Sequence, residues 1–521
     1  TSTTAATVAT VDVLTVTGAG ANISFTGNAS AAGALLGVDV GSINLSNGAS
    51  LSLVSNNKIT QTGTIANAAN TNGAASSILF DATSGTNASA VTIGTVTVAA
   101  VTSTSDINLL VKSKGSSVTA SGPLATAAIP LPGTIVFDNT NGGLVTQATA
   151  VAGVGLTFNG GGVFGNKGIT LTGVSNNNSA ITSNQVMTSA LGSVVLTGNT
   201  LTAGNLWGIN ATGTLTGKSI TVTATNNTTG TLTTGGAVNL GALSILAGGT
   251  NLTVTGNNSN QTAQGIVASG AISLVSGSSL LFTSNNLINQ TGAISVAANV
   301  SGTASNLVFD TTTGTSDSSI TTGNFTFVTG STSDINLTVK SKGSALSLGT
   351  VGTSALVLPG VLTLDNTNGG TVTAANAISG IGVLLNRGAI YGGKGVVLKG
   401  VSNANNAIYV SSAVTAANGD IVINALGNSA IAYSAPGAGG TLTATNGSVS
   451  LTSVSTTGSA INIASGSTIT AKTGITLNAT STTAATVATV DVLTVTGAGA
   501  NISFTGNASA AGALLGVDVG S

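Results

Sequence analysis

Residues 106–114 read Asp-Ile-Asn-Leu-Leu-Val-Lys-Ser-Lys, and residues 334–342 read Asp-Ile-Asn-Leu-Thr-Val-Lys-Ser-Lys. In both phrases Ile, Leu and Val alternate with other residues, which is the period-two pattern of a half-buried β-strand. The phrases differ at one position, where Leu110 corresponds to Thr338. Because a position that accepts either residue faces outward, the alternating Ile, Leu and Val are predicted to face the interior.

The similarity extends beyond this strand and divides the chain into two half-repeats. Matching phrases recur at a nearly constant offset, which predicts that residues 41–269 and 270–519 arose by duplication. The second half is longer by 21 residues, and the extra residues fall between about 444 and 498. An insertion of this length predicts one added structural turn. The matching phrases are Leu51–Asn57 with Leu280–Asn286, Asp138–Gly143 with Asp365–Gly370, Gly173–Asn176 with Gly400–Asn403, and Gly213–Thr216 with Gly440–Thr443.

A longer repeat encloses the two halves. Residues 1–42 are identical to residues 480–521, an offset of 479 residues. Identity over this length predicts tandem copies of a 479-residue unit. In this interpretation residues 1–40 end one unit, as residues 480–519 do. Residues 520–521 then begin the next unit, and the natural chain is expected to continue past both ends.

Short strand phrases bounded by Gly, Asn and Ser recur along the whole chain at spacings of roughly 20 to 35 residues, usually in the twenties. We therefore predict an all-β fold, a single continuous parallel β-helix or β-solenoid with roughly 20–27 residues per turn. One unit would hold about 18–24 turns and rise on the order of 85–115 Å. Ile43, Leu45, Ile272 and Leu274 are predicted to stack in its interior. A string of sandwich domains would show a period of about 100 residues with linkers, and the sequence has neither.

The composition excludes several classes of function. Only 4% of the residues are charged, Glu, His and Cys are absent, and the net charge is −1. This balance gives no electrostatic support for binding nucleic acid or anionic lipid. No stretch reaches the roughly 18 apolar residues of a membrane-spanning helix. The abundance of β-branched aliphatic residues also argues against disorder.

Four Asp residues follow strand phrases: Asp81, Asp138, Asp310 and Asp365. One hypothesis makes them Ca²⁺ ligands between turns, and the other lets each Asp end its strand by hydrogen-bonding its own turn. The sequence lacks the Gly-Gly-x-Gly-x-Asp nonapeptide of Ca²⁺-binding β-rolls. The turn interpretation is therefore favoured, and we assign no metal ligand.

The densest charge in each half combines one Asp with two Lys: Asp106, Lys112 and Lys114, then Asp334, Lys340 and Lys342. These side chains are expected to face outward, where they keep the solenoid soluble or pair with a neighbouring turn, each pair adding little stability. Acid–base cleavage of a polysaccharide would need clustered carboxylates with Arg or Lys. With no His or Glu and a single Arg, we expect no enzyme activity and assign no catalytic or cofactor-binding residue.

Thr-x-Thr pairs raise the hypothesis of an ice-binding face, which needs such a pair at the same place in nearly every turn. The pairs are irregular in the sequence, which favours ordinary strand exteriors. Trp207 and Met187 belong to no motif and are interpreted as packing residues. Asn-x-Ser/Thr sequences are frequent in so Asn-rich a chain and leave glycosylation open. The Thr pairs begin at Thr15, Thr95, Thr221 and Thr253, and the Asn sites include Asn22, Asn28, Asn44, Asn87, Asn210 and Asn336.

Four phrases, Gly41–Leu45, Gly270–Leu274, Gly419–Ile423 and Gly447–Leu451, resemble the repeats of filamentous-haemagglutinin-like bacterial surface proteins. The resemblance covers nearly the whole chain. It implies a right-handed parallel β-helical shaft, secretion from the cell, and a role in adhesion.

We therefore expect a structural extracellular fibre or shaft on the surface of a prokaryotic cell, serving as a sheath, tether or adhesin stalk. The expected partners are copies of the chain itself, as covalent tandem units and in lateral bundles, together with a cell-surface or glycan contact. Nucleic acid and membrane insertion are not expected. The alternative is a surface for glycans or ice along one face of the solenoid, which a regular Thr or aromatic ladder would support.

Overall fold

A computed structural model describes residues 7–28, 36–85, 89–99, 103–145, 149–202, 206–227, 235–259, 264–314, 318–428, 430–483, 486–508 and 515–520. The chain forms two compact units, Thr1–Ala263 and Gln264–Ser521. Within the described ranges the one helical segment is a 3₁₀ turn at Ala374–Asn376.

Each unit is a parallel β-solenoid, in which strands of successive turns pair side by side and form three ladders. The two units together hold about 17 turns, and 56% of the chain is strand. The predicted fold class, an all-β parallel β-solenoid, is confirmed.

The strands of the first unit follow its three ladders in chain order. The first ladder contains Asn22–Gly27, Ser50–Ser55, Ser76–Ala82, Ile107–Ser113, Thr134–Asp138, Gly168–Ser175, Ser193–Thr200, Ser219–Asn226 and Asn251–Asn258. The second ladder contains Thr7–Thr15, Leu36–Leu45, Lys58–Gln61, Val91–Ile93, Val118–Ala120, Leu156–Phe158, Ile181–Ser183, Ile209–Ala211 and Gly236–Leu240. The third ladder begins with the C-terminal ends of Thr7–Thr15 and Leu36–Leu45, the two long strands of the second ladder. It continues through Thr64–Asn67, Thr95–Val98, Val163–Gly165, Met187–Ser189, Leu215–Gly217 and Leu243–Ile245.

The second unit repeats this arrangement. Its first ladder contains Ser279–Ser284, Ser305–Thr311, Ile335–Ser341, Val361–Asp365, Gly395–Ser402, Ile421–Gly427, Ser448–Ser455, Gly474–Ser481 and Asn501–Ala508. The second contains Gln264–Ala268, Leu287–Gln290, Ile320–Thr321, Leu346–Ser347, Val383–Leu385, Ile408–Val410, Tyr433–Ala435, Ile461–Ala471, Thr486–Val495 and Leu515–Val519. The third contains Ile272–Leu274, Ile294–Val296, Phe325–Phe327, Ile390–Gly392, Val414–Ala416 and Leu442–Ala444. It ends with the C-terminal halves of Ile461–Ala471 and Thr486–Val495.

The core of each unit consists of aliphatic columns, because the parallel register places inward side chains of successive turns on one another. In the first ladder Ile135 lies opposite Ile169, which lies opposite Val194, and all three are fully buried. Such stacking buries nearly the whole side chain, at about 25 cal/mol per Å² of apolar surface. The predicted inward residues are buried, and the prediction is confirmed for Ile43, Leu45, Ile107, Leu109, Val111, Ile272, Leu274, Ile335, Leu337 and Val339. Leu110 and Thr338 face outward, as predicted.

Many turns are longer than the sequence pattern predicted. The step from Ile169 to its partner Val194 lies within the predicted length, whereas the step from Ile135 to its partner Ile169 exceeds it. The extra length lies in corner loops, such as residues 366–382 between Val361–Asp365 and Val383–Leu385. The predicted turn length is too low and the predicted number of turns too high, because the length of the corner loops leaves no regular period in the sequence.

Buried amides close the corners after first-ladder strands. The Asn366 side chain donates from Nδ2 to the carbonyl of Val401 at 2.9 Å and accepts at Oδ1 from the Val401 N–H at 2.7 Å. Asn139 makes the same two bonds with Val174, at 2.9 and 2.7 Å. These bonds satisfy backbone groups that the corner loop leaves without a strand partner.

Gly400 lies in the first-ladder strand Gly395–Ser402, at a position where residues of the second ladder pack directly on its backbone. A Cβ added at Gly400 would lie 2.2 Å from Ile408 Cγ1 and 2.4 Å from the Ala407 carbonyl oxygen. One turn further on, Ala425 occupies the corresponding register position and carries a Cβ without difficulty. The requirement for glycine is therefore set by the residue that packs against each position.

We expect Gly400→Ala to destabilise the second unit by about 1–3 kcal/mol, because an overpacked core must shift its backbone or strain Ile408. Urea unfolding followed by circular dichroism measures the change. The matched control, Ala425→Gly, should cost only about 0.5–1 kcal/mol. Ile408→Ala removes Cγ1, so it should cost less in the Gly400→Ala chain than in the native chain, and an equal cost in the two chains would rule out this clash as the cause.

Tyr433 is a fully buried phenol in the second-ladder column between Ile408 and Ile461. Its hydroxyl has no hydrogen-bond partner. An unsatisfied buried hydroxyl is costly, and burial raises the pKa of Tyr433 well above its ordinary value.

We expect Tyr433→Phe to raise the free energy of unfolding by about 1–3 kcal/mol, because it removes a buried polar atom without changing the ring. Since the folded pKa lies above the unfolded value of about 10, ionisation of Tyr433 does not affect the stability of the native chain below that pH. At higher pH the unfolded chain loses the Tyr433 proton more readily than the folded chain, so the native chain becomes less stable. The stability advantage of Tyr433→Phe should therefore grow as pH rises. Tyr409→Phe, on the outward side of the adjacent strand, is the control and should change little. Equal effects of the two substitutions would contradict this account.

Candidate functional site

Charged residues alternate in sign along the outward side of the first ladder. In the second unit Asp310, Lys340, Asp365 and Lys399 lie opposite one another in four successive turns. Lys340 Nζ lies 2.9 Å from Asp310 Oδ2, and Lys399 Nζ lies 3.6 Å from Asp365 Oδ2. Opposite charges directly across a strand pair stabilise that register, whereas like charges oppose it.

The first unit carries the same row as Asp81, Lys112 and Asp138, again in register across three turns. A slip that paired one Asp strand with the other would place two carboxylates opposite each other. The alternation therefore favours one stacking order among strands that otherwise look alike.

Each Asp of this row also ends its strand through its own turn, as predicted. Asp310 Oδ1 accepts from the Thr312 N–H at 2.8 Å and from its hydroxyl at 2.7 Å. The same two bonds, at 2.5 to 2.9 Å, join Asp81 to Thr83, Asp138 to Thr140 and Asp365 to Thr367. In the described part of the chain, no three acidic, His or Cys side chains gather where they could hold a metal ion.

Asp106 and Asp334, one from each predicted charge cluster, form ion pairs that reach across an intervening turn. Lys167 Nζ lies 2.8 Å from Asp106 Oδ1, and Lys394 Nζ lies 2.6 Å from Asp334 Oδ1. Both pairs lie in the corner that leads into the first ladder. The expected pairing with a neighbouring turn is confirmed for Lys340, which pairs with Asp310. Asp106 and Asp334 instead pair with Lys residues two turns further on, which the sequence does not predict. No local motif identifies Lys167 or Lys394, because each is far from its partner along the chain.

From Ile59 to Leu240 the described strands of the second ladder of the first unit carry no charged residue, and Thr occupies the outward position in five successive turns. Asn residues continue this column, giving the order Thr60, Thr92, Thr119, Thr157, Thr182, Asn210 and Asn239. We call its first five residues the Thr column, and all five are half-buried. The irregular sequence spacing thus conceals a regular column.

Double Thr pairs are less regular. Thr221 and Thr223 lie opposite Thr253 and Thr255 in two successive turns of the first ladder. One turn earlier Val195 replaces the first Thr. The paired lattice that an ice-binding face requires therefore extends over two turns in this stretch.

The remaining residues noted in the sequence have mainly structural places. Met187 is fully buried in the third-ladder column, which confirms its packing role, and Trp207 is half-buried. Asn210 Oδ1 accepts from Asn239 Nδ2 at 2.8 Å. Asn87 lies outside the described residues.

Two surface grooves lie in the second unit. One, of about 380 Å³, is lined by Val328, Leu356 and Lys394 among others, and the other, of about 360 Å³, borders Lys399 and Leu426. Both Lys residues are held in ion pairs, so neither groove presents an unpaired acid–base pair. The described residues include no helix of the length and apolarity that crossing a membrane requires.

Burial raises the pKa of Asp310, but the two hydrogen bonds from Thr312 and the charge of Lys340 outweigh it, so the net pKa lies below the ordinary value. A lowered folded pKa gives stability that is present above the unfolded value of about 3.9 and is lost as pH falls through the folded value. The carboxylate therefore stabilises the fold at neutral pH.

We expect Asp310→Asn to cost about 1 kcal/mol at pH 7, the difference between charged and neutral hydrogen bonds, and less at pH 2, because acid protonates the carboxylate. Urea unfolding at the two pH values measures the difference. Lys340→Met removes only the ion pair and should cost less than about 1 kcal/mol. A loss from Asp310→Asn that is the same at both pH values would show that the charge is irrelevant.

Comparison with known proteins adds no relative to this picture. No protein-family model, no curated protein and no solved structure matches the chain.

Proposed function

We propose that the chain is a shaft segment of an extracellular fibre built from tandem copies of a 479-residue unit. The fibre belongs to the surface of a prokaryotic cell, where it serves as a sheath, tether or adhesin stalk and has no catalytic role. The observation that carries the proposal is that the two copies of the repeated segment use opposite edges of the same strands.

In the first copy the segment pairs with the turn that follows it. Asn22–Gly27 pairs with Ser50–Ser55, and Leu36–Leu45 pairs with Lys58–Gln61. The strands within this segment pair in a fixed register, with Thr7 opposite Leu36.

In the second copy the segment pairs with the turn that precedes it. Asn501–Ala508 pairs with Gly474–Ser481, and Thr486–Val495 pairs with Ile461–Ala471. The register within the segment is the same as in the first copy, with Thr486 opposite Leu515. One segment therefore accepts both neighbours, which is what a continuous tandem array requires.

Equivalent side chains of the two copies differ in exposure according to which neighbouring turn covers them. Val40 is 1% exposed under its following turn, whereas the identical residue of the other copy, Val519, is 45% exposed. Conversely, Val487 is fully buried by its preceding turn, and its counterpart Val8 is half-buried. Turns of the solenoid thus pack on either side of the same segment, as they would around each copy in a tandem array.

The resemblance to filamentous-haemagglutinin-like surface proteins supports the cell-surface location and the adhesive role. The low charge and the β-solenoid fold agree with a structural shaft. Copies of the chain itself are the proposed partners, with a glycan or another cell-surface molecule as the target of the fibre.

Binding of glycans or ice along the solenoid face is the second candidate. The Thr column favours it, since it repeats one hydroxyl and one methyl group at about 4.8 Å per turn. The double lattice expected of an ice-binding face extends over only the two turns of Thr221 and Thr253 described above. The fibre is therefore the preferred function.

The mass of the native polypeptide tests the fibre. We expect a mass of several multiples of the 479-residue unit, measured by denaturing gel or mass photometry after solubilisation. Electron microscopy should show filaments with a regular repeat along their length. A native mass near 49.4 kDa would contradict the tandem array.

A further inference from the structure

Charge is segregated to one side of the first unit. Between residues 59 and 259, the charged residues that the structure describes lie on first-ladder strands or in the corner loops at the ends of those strands. Asp81, Lys112 and Asp138 are on the strands, and Asp106, Lys167 and others are in the corners. The described second-ladder and third-ladder strands of this stretch carry no charge.

Folding does not require this segregation. Outward side chains of a solenoid do not enter the core, so a charge on any ladder would be hydrated equally well. Charged residues are, however, depleted from the centres of protein–protein interfaces, because desolvating them is expensive. A face kept free of charge is thus suited to being covered.

We propose that the outward side of the second ladder in the first unit, centred on the Thr column, is the surface on which the solenoid packs laterally against a second copy of the chain. This proposal rests on the fibre function, since it supplies the contact by which fibres would bundle. Asp39 lies one turn before Thr60, and Lys58 begins the strand that contains Thr60. These two charges mark one end of the neutral strip.

A second copy matches this face better than another partner does. Its strands repeat at the same ~4.8 Å spacing, so each Thr of one copy meets an equivalent repeat of the other. Small β-branched side chains on parallel, in-register strands interdigitate in dry contacts between sheets. The Asp and Lys rows of the first ladders stay in water in such a pair.

The area of the strip explains why such packing would depend on length. A three-residue strand about 10 Å long and a rise of ~4.8 Å give about 50 Å² per turn. Seven turns, from Thr60 to Asn239, therefore present about 350 Å² per copy, against about 800 Å² in a stable interface. Single copies associate weakly, and tandem arrays associate strongly because the contacts act together.

The test is sedimentation velocity on a chain of residues 1–521 from about 1 μM to 1 mM, a range chosen for weak association. We expect the average mass to rise from 49.4 kDa towards twice that value. Thr119→Lys with Thr157→Lys should weaken association at least tenfold, by placing charges in the interface. The control, Thr170→Lys with Thr221→Lys, makes the same change at half-buried first-ladder positions and should leave association unchanged.

A chain that stays monomeric at 1 mM overturns lateral packing, as does equal behaviour of the two Lys variants. Monomeric chains that bind a neutral polysaccharide such as dextran through the Thr column would reassign the face to glycans. If Thr119→Lys with Thr157→Lys fails to fold by circular dichroism, Thr119→Asp alone replaces it. A native mass of several repeats with a monomeric 521-residue chain overturns only this packing and leaves the tandem fibre intact.

Discussion

The structure depends on one constraint, which is that each strand must pair in register with the same part of the turn before it and the turn after it. The register that aligns Ile135, Ile169 and Val194 as an inward column also aligns Asp138 with Thr172 and Thr197 outside. The register of each strand is therefore fixed by the ladder, whereas corner loops can change length without disturbing either column. Each turn depends on its nearest neighbours, as in other solenoid repeats.

Inward and outward positions consequently carry different kinds of information. Inward columns are mostly aliphatic, with aromatic, small and hydrogen-bonded amide side chains at particular places, and a strand position such as Gly400 has no space for a methyl group. Outward columns are free of packing, so a pattern there has another cause. The alternating row of Asp310, Lys340, Asp365 and Lys399 favours the observed register, and the uncharged Thr column of the first unit suits the lateral packing proposed above.

The sequence predicts the inward residues well and the columns poorly, for a physical reason. Alternation within Ile107–Ser113 is local, so burial follows from a few neighbours. Alignment between turns depends on the length of every corner loop, and the members of the Thr column are therefore unevenly spaced along the chain. No fixed period reveals such a column. The two corner ion pairs were missed for the same reason, since their partners lie two turns apart.

The two identical copies of the repeated segment show that the burial of a side chain depends on the neighbouring turns as well as on its own strand. Ile23 and Ile502 belong to the same segment and pair in equivalent registers, yet Ile502 is 45% exposed and Ile23 is half-buried. The difference arises because Ile23 lies under Leu51, in the turn that follows it. A turn in the middle of a tandem array has both neighbours, and only the two ends lack one. In the proposed tandem array each copy of the segment would have both neighbours, so the residues that correspond to Ile23 and Ile502 would be equally buried.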